Sequence, residues 1–190
     1  IQRVTEDDRP YAVLINTSSA ASQSSSIGTA MVTMEGCDVQ SDGGTGIGVQ
    51  GAHTEAAITR CSVRRAELSG IYVSGDARAT ITACTVARGD YCGILVKKAR
   101  ATVSRSTVTS CAQTGMFFFE APGSTAEGNT IASCAGCGVV IKATESLTFR
   151  NNTVSGAGQA GIFVCERSTG NVSENTVTGS SKAGVVIKTG

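Results

Sequence analysis

Few side chains in this sequence have both the type and the spacing for chemistry. Glu120 and Glu166 are the one acidic pair that its internal pattern brings to a common face, and glycoside hydrolysis needs two carboxylates flanking the bond that breaks. His53 is the single histidine; it precedes an apolar stretch and reads as a surface turn residue rather than a base. Cys134-Ala-Gly-Cys137 has the spacing of a metal or redox pair, but no second pair or nearby histidine accompanies it. The eight cysteines follow no regular zinc pattern, and a chain with this much Val and Ile does not need disulfide staples. The sequence therefore predicts free thiols, no metal and no cofactor. Free thiols also point to an intracellular location, cytoplasmic or cytoskeletal. The N-x-[ST] sequons at Asn16, Asn151 and Asn171 are what chance supplies in a Ser/Thr-rich chain.

The elements that must position these residues follow from self-comparison. Segments of about 23 residues open alike: Gly46-Ile-Gly-Val, Gly70-Ile-Tyr-Val, Gly93-Ile-Leu-Val, Gly115-Met-Phe-Phe, Gly138-Val-Val-Ile, Gly161-Ile-Phe-Val and Gly184-Val-Val-Ile. A second strand recurs between them, as in Ile58-Thr-Arg-Cys-Ser-Val63, Ile81-Thr-Ala-Cys-Thr-Val86 and Phe149-Arg-Asn-Asn-Thr-Val154, with an early copy at Met34–Val39. Composition agrees: 19 Val and 12 Ile stand against 4 Leu, with 23 Gly and only 2 Pro. Leucine-rich repeats need far more Leu, and propeller blades need units of about 40 residues or more. Two short strands per repeat with no helix between them predict an all-β fold, a parallel β-helix of about seven to eight coils stacked roughly 4.8 Å apart. A formal charge of +1 offers no bulk attraction for nucleic acid or membrane, and no apolar run approaches a membrane span.

Strand alternation assigns the two faces. Ile71 and Val73, Ile94 and Val96, Val139 and Ile141 point inward. In the second strand an inward column reads Cys37, Cys61, Cys84, Ser106, Asn129, Asn152, Asn175, a structural ladder in which each amide can bond its neighbours and the adjacent turn. Arg60, Arg105 and Arg150 read as an outward arginine column interrupted by Ala83 and Gly128, suited to solubility or weak anion binding.

The repeated G-[IVM]-x-[VIF] strand followed by N-T-[VI] resembles the right-handed parallel β-helix repeats of the pectate-lyase-like superfamily. The closest likeness is to its carbohydrate-binding and sugar-hydrolase type. The resemblance covers Met34 to Gly190 and implies the right hand of the winding. That group spans secreted polysaccharide lyases and epimerases, periplasmic copper-related proteins and intracellular F-box proteins, so the likeness specifies fold and hardly function. It also implies that the exposed face of the first strand is the binding cleft.

On that face the third position of each Gly-led segment forms an apolar stripe: Gly48, Tyr72, Leu95, Phe117, Val140, Phe163, Val186. Contiguous exposed apolar surface marks a partner site or a covered face; a loop or the tail Ile1–Tyr11 is one cover, a protein segment or a sugar chain another. Two positions on, Lys97, Phe119, Lys142 and Lys188 rim the stripe. Glu120 and Glu166 lie two coils apart with Ala143 between, a backbone separation of roughly 10 Å, near the wide limit for an inverting pair. Lyases and epimerases of the resembling group use clustered Asp with calcium, or Arg, His or Tyr bases, and no such cluster stands out. The sequence thus favours a non-enzymatic interaction or scaffolding domain of a larger protein, with Tyr72, Leu95, Phe117, Phe119, Val140, Phe163, Lys97, Lys142 and Lys188 as its contact surface. The alternative is a carbohydrate-binding or carbohydrate-active module using the same face; a third reading is a self-associating structural element joined end to end. Residues 1–33 read as an N-terminal segment and early coil with a Ser-rich loop, Ser18–Ser26. Residues 34–190 read as the repeats, with no polar cap after Gly184-Val-Val-Ile.

Overall fold

Parallel pairing of equivalent residues in successive coils builds the whole molecule. The structure, a computed structural model, describes residues 10–16 and 29–189. Their strands form three parallel sheets, of eight, seven and seven strands, and no helix occurs among the described residues. One coil illustrates all of them. Cys92–Lys97 lies in the first sheet, Arg100–Ser104 in the second and Thr107–Thr109 in the third. The next coil repeats them in register, with Ile94 opposite Met116, Val103 opposite Ala126 and Val108 opposite Ile131.

The expected two strands per coil are in fact three. The stretch Ile58–Val63 breaks into Thr54–Thr59 of the second sheet and Ser62–Arg64 of the third. The break is a left-handed residue repeated at each coil: φ is 53° at Arg60, 53° at Ala83, 50° at Arg105, 54° at Asn151 and 57° at Glu174. Non-glycine side chains there cost roughly 1 kcal/mol each, and coil-to-coil hydrogen bonds hold them, as from Arg60 N to Thr82 O at 3.0 Å. This corner also corrects the arginine column. Arg150 ends the second-sheet strand Leu147–Arg150, opposite Glu127, whereas the position of Arg60 and Arg105 is occupied by Asn151.

Close approach explains why each repeat opens on glycine. A Cβ on Gly46, Gly70, Gly93, Gly115, Gly138 or Gly161 would lie only 2.2–2.4 Å from a γ-carbon of the Val or Ile in the third sheet, and 2.5–2.8 Å from the carbonyl oxygen of the next glycine in the column. The core beneath is aliphatic: Ile47, Ile71, Ile94, Val96, Val139, Ile81, Val86 and Val103 are fully enclosed. Burial of each such side chain contributes about 1.5–3 kcal/mol. The segment before the repeats supplies a first-sheet strand, Tyr11–Asn16, paired with Thr45–Gln50. Ile1–Arg9 and the Ser-rich stretch Ser18–Ser26 lie outside the described residues.

Candidate ligand-binding face

Two polar columns fix the corners that aim the sheets. At the corner between the second and third sheets lie Cys37, Cys61, Cys84, Ser106, Asn129, Asn152 and Asn175. Asn175 Nδ2 donates to Phe149 O at 2.8 Å, and its Oδ1 accepts from Asn152 N at 2.9 Å and Asn152 Nδ2 at 3.0 Å. Asn152 repeats both contacts toward Asn129, whose Oδ1 accepts from Ser106 N at 2.9 Å, and Ser106 Oγ accepts from Cys84 N at 3.1 Å. Toward the N-terminus the thiols donate to carbonyls, Cys84 Sγ to Ile58 O at 3.4 Å. Burial pushes the Cys84 and Cys61 thiols above their ordinary values. A second column at the corner after the first sheet escaped the sequence reading: Thr144 Oγ1 accepts from Ala121 N at 3.3 Å and Ser168 Oγ accepts from Thr144 N at 3.2 Å. Alanines at Ala77, Ala99 and Ala121 hide its period.

The apolar stripe does share one row on the outside of the first sheet, with Gly48, Tyr72, Leu95, Phe117, Val140 and Phe163 in direct register. It is not uniformly open. Tyr72 and Leu95 are buried, at 0% and 4% exposure, packed with Cys92, Tyr11, Tyr91 and Phe117. These two belong to a small outer core and offer no free contact surface. The Tyr11 ring takes the space above Gly48, where a Cβ would be 2.4 Å from it, and its hydroxyl accepts from Gln50 Nε2 at 2.5 Å. Tyr11, the last residue of the tail expected as one cover of this face, supplies it over this half of the row.

The open part of the row begins at Phe117 and runs through Val140 to Phe163, all half-buried. Together with Tyr91, Lys142 and Lys188 these residues line one shallow groove. Phe119 flanks Phe117, with ring centroids 6.2 Å apart. Lys142 Nζ stands 5.4 Å from the Phe119 centroid and Lys188 Nζ 5.8 Å from that of Phe163, cation–π distances that hold each ammonium beside a ring face. Lys97 lies in the same column as Phe119 and Lys142, beside the covered half.

The acidic candidates are not arranged as a catalytic pair. Glu120 and Glu166 occupy one left-handed corner column, at φ 49° and 53°, so they stand on the same side of the groove rather than across it. Each faces a lysine: Glu120 Oε2 is 3.6 Å from Lys98 and Glu166 Oε1 is 3.0 Å from Lys142. His53 is exposed on the loop between Gln50 and Thr54, three coils from Glu120. The C-x-x-C pair divides, with Cys134 buried beside Cys111 and Cys137 lining the groove. The hydrogen bond with Cys134, together with burial, drives the Cys111 thiol well above its ordinary range. Burial raises Cys165 as well, with the Glu166 charge adding to it. All eight cysteines are free, and no cluster of three or more His, Cys, Asp or Glu able to hold a metal occurs among the described residues.

Three parallel sheets wound coil by coil make a parallel β-helix. The profile described as right handed beta helix region matches residues 8–96 and 45–190. The chain belongs to the right-handed β-helix family. No curated protein matches this β-helix. Among solved structures it is similar to the periplasmic alginate epimerase AlgG, with TM-score 0.61 and 12% identity, over 85% of this chain and 43% of that one. It is also similar to the Dettilon tailspike protein gp208, with TM-score 0.51 and 15% identity, over 75% of this chain and 34% of that one. The β-helix spans less than half the length of either, and at these identities the likeness is one of fold.

Proposed function

We propose that this β-helix is a non-catalytic carbohydrate-binding domain. Its ligand is an extended acidic glycan strand laid on the outside of the first sheet, across Phe117, Val140 and Phe163. The observation that carries this is the pairing of ring and ammonium along the groove, Phe119 with Lys142 and Phe163 with Lys188. Ring faces take the apolar side of a sugar, and the lysines answer its carboxylates. With Tyr72 and Leu95 covered, the open strip is narrow, which suits a single polymer chain better than a broad protein interface of about 800 Å² per partner. The likeness to an alginate epimerase supports the same ligand class. Binding rather than turnover is favoured because Glu120 and Glu166 share one column and each is matched by a lysine.

One observation favours a second reading, the docking of a protein segment on the same strip. Three of the four rings along the groove, Phe117, Phe119 and Phe163, are Phe, without the polar tip that Tyr or Trp offers a sugar hydroxyl. Calorimetric titration of the purified domain with alginate oligosaccharides and with neutral xylo-oligosaccharides separates the readings. Saturable binding of the acidic oligomer alone, weakened in Phe163→Ala, supports the glycan; no binding of either one removes it.

A further inference from the structure

The outside of the second sheet contains an unfavourable pairing. Glu55, Arg78 and Arg100 form one column, and Arg78 is directly opposite Arg100 in the next coil, roughly 4.8 Å away along the stack. Like charges in direct register destabilise a sheet. Other arginines are matched by carboxylates across coils: Arg60 by Glu35, Arg64 by Asp38, and Arg150 by Glu127 at 2.8 Å. Arg78 has Glu55 only at 3.8 Å, beyond hydrogen-bond range.

Arg100 has no carboxylate partner among the described residues, yet its head group is fixed. Its Nε donates to Gly123 O at 2.9 Å, and the guanidinium lies over Gly123, where a Cβ would be 2.7 Å from Nη2 and 3.0 Å from Cζ. The next outward residues of the same two strands are Thr80 and Thr102, both exposed and in register. Arg78, Arg100, Thr80, Thr102 and Gly123 line one cleft, with Glu55 at the end beyond Arg78. Acids stand on both flanks, Asp76, Glu120 and Glu145 with Lys98 at the corner and Glu55 one coil before Arg78, so favourable charge for an anion is centred between Arg78 and Arg100 on the side of Thr102 and Gly123.

We propose that Arg78 and Arg100, with the hydroxyls of Thr80 and Thr102, bind a tetrahedral oxyanion, a sulfate or phosphate group that is either free or carried on a polymer. Two guanidinium forks one coil apart present two charges and donors in two directions. A dianion with oxygens on several sides satisfies both forks, where a single carboxylate engages one. The site lies on a different sheet from the glycan groove and stands or falls independently of it.

The test is an NMR titration of the labelled domain with sodium sulfate and, separately, sodium phosphate at constant ionic strength. Saturable shifts centred on Arg78, Thr80, Arg100 and Thr102 are expected, with binding about tenfold weaker in Arg100→Gln and in Arg78→Gln. Arg88→Gln, at an exposed corner, should leave affinity unchanged. Dextran sulfate against plain dextran distinguishes the source: a gain over the inorganic ion marks a polymer-borne group, and no gain marks the free anion. Non-saturating shifts spread over Arg64, Arg65 and Arg88, or undiminished affinity in both variants, would overturn the site.

Discussion

Asn152 Oδ1 accepts from both the backbone N and the side-chain Nδ2 of Asn129, at 2.9 and 3.0 Å, while Asn152 Nδ2 donates to Ala126 O at 3.0 Å. One buried amide thus closes the polar groups of two coils. Asn152→Leu leaves Asn129 N without its acceptor in a dry interior and takes one donor from Ala126 O, so a loss of about 3 kcal/mol is expected. Denaturant unfolding reads it directly, and an unchanged midpoint would contradict the inward orientation of this column.

Gly115→Ala should be among the worst single-methyl additions, since its Cβ would sit 2.4 Å from Ile131 Cγ2 and 2.6 Å from Gly138 O. Overpacking against backbone costs about 3 kcal/mol or more. Gly43→Ala meets nothing within 4 Å and should be close to neutral. Equal melting temperatures for the two variants would refute the close-approach account of the glycine column.

The two halves of the outer row should respond oppositely to truncation. Tyr72→Ala removes a fully buried ring and should cost about 3–5 kcal/mol. Phe163→Ala, on the open half, should cost about 1 kcal/mol or less. Comparable losses would mean that Phe163 is covered as Tyr72 is.

Stability should fall in alkali. Cys61 and Cys84 are both raised by burial in the folded chain from the ordinary 9.0. Above that pH the unfolded chain loses thiol protons that the folded chain keeps, so stability is intact below about pH 9 and declines above it, by up to about 1.4 kcal/mol per pH unit for each thiol. Cys84→Ala should flatten the decline in a pH series of unfolding midpoints. A midpoint that rises between pH 9 and 10 would contradict the sign.

Much of this architecture is legible in the sequence because a solenoid repeats its demands. Gly-Ile-x-Val recurs where a Cβ cannot fit, and Asn-Thr-Val recurs where an amide must bridge coils. The third strand is hidden because four coils make its corner with Arg60, Ala83, Arg105 and Glu174, types that carry no turn signal, and only Gly36, Gly128 and Asn151 in the same column carry one. The same ambiguity put Arg150 in the wrong column. How far the cover over Tyr72 and Leu95 reaches is hidden for a different reason: the tail Ile1–Tyr11 is one cover the sequence offers, but an outward apolar residue looks the same there whether Tyr11 lies on it or solvent does. The charged column Glu55, Arg78, Arg100 lies three residues before the aligned Ile58, Ile81 and Val103, where the two-strand reading has no strand although the second sheet extends there.

The chain contains no tryptophan, so Phe163→Trp would place a single indole in the groove against a silent background. Fluorescence titration of this variant with alginate oligosaccharides tests the binding face most directly, provided that the melting temperature matches wild type. A saturable spectral shift is predicted, with an affinity equal to or better than wild type by calorimetry and lost on further Lys142→Ala substitution. An indole whose emission ignores the acidic oligomer at every concentration would contradict the assignment of this face.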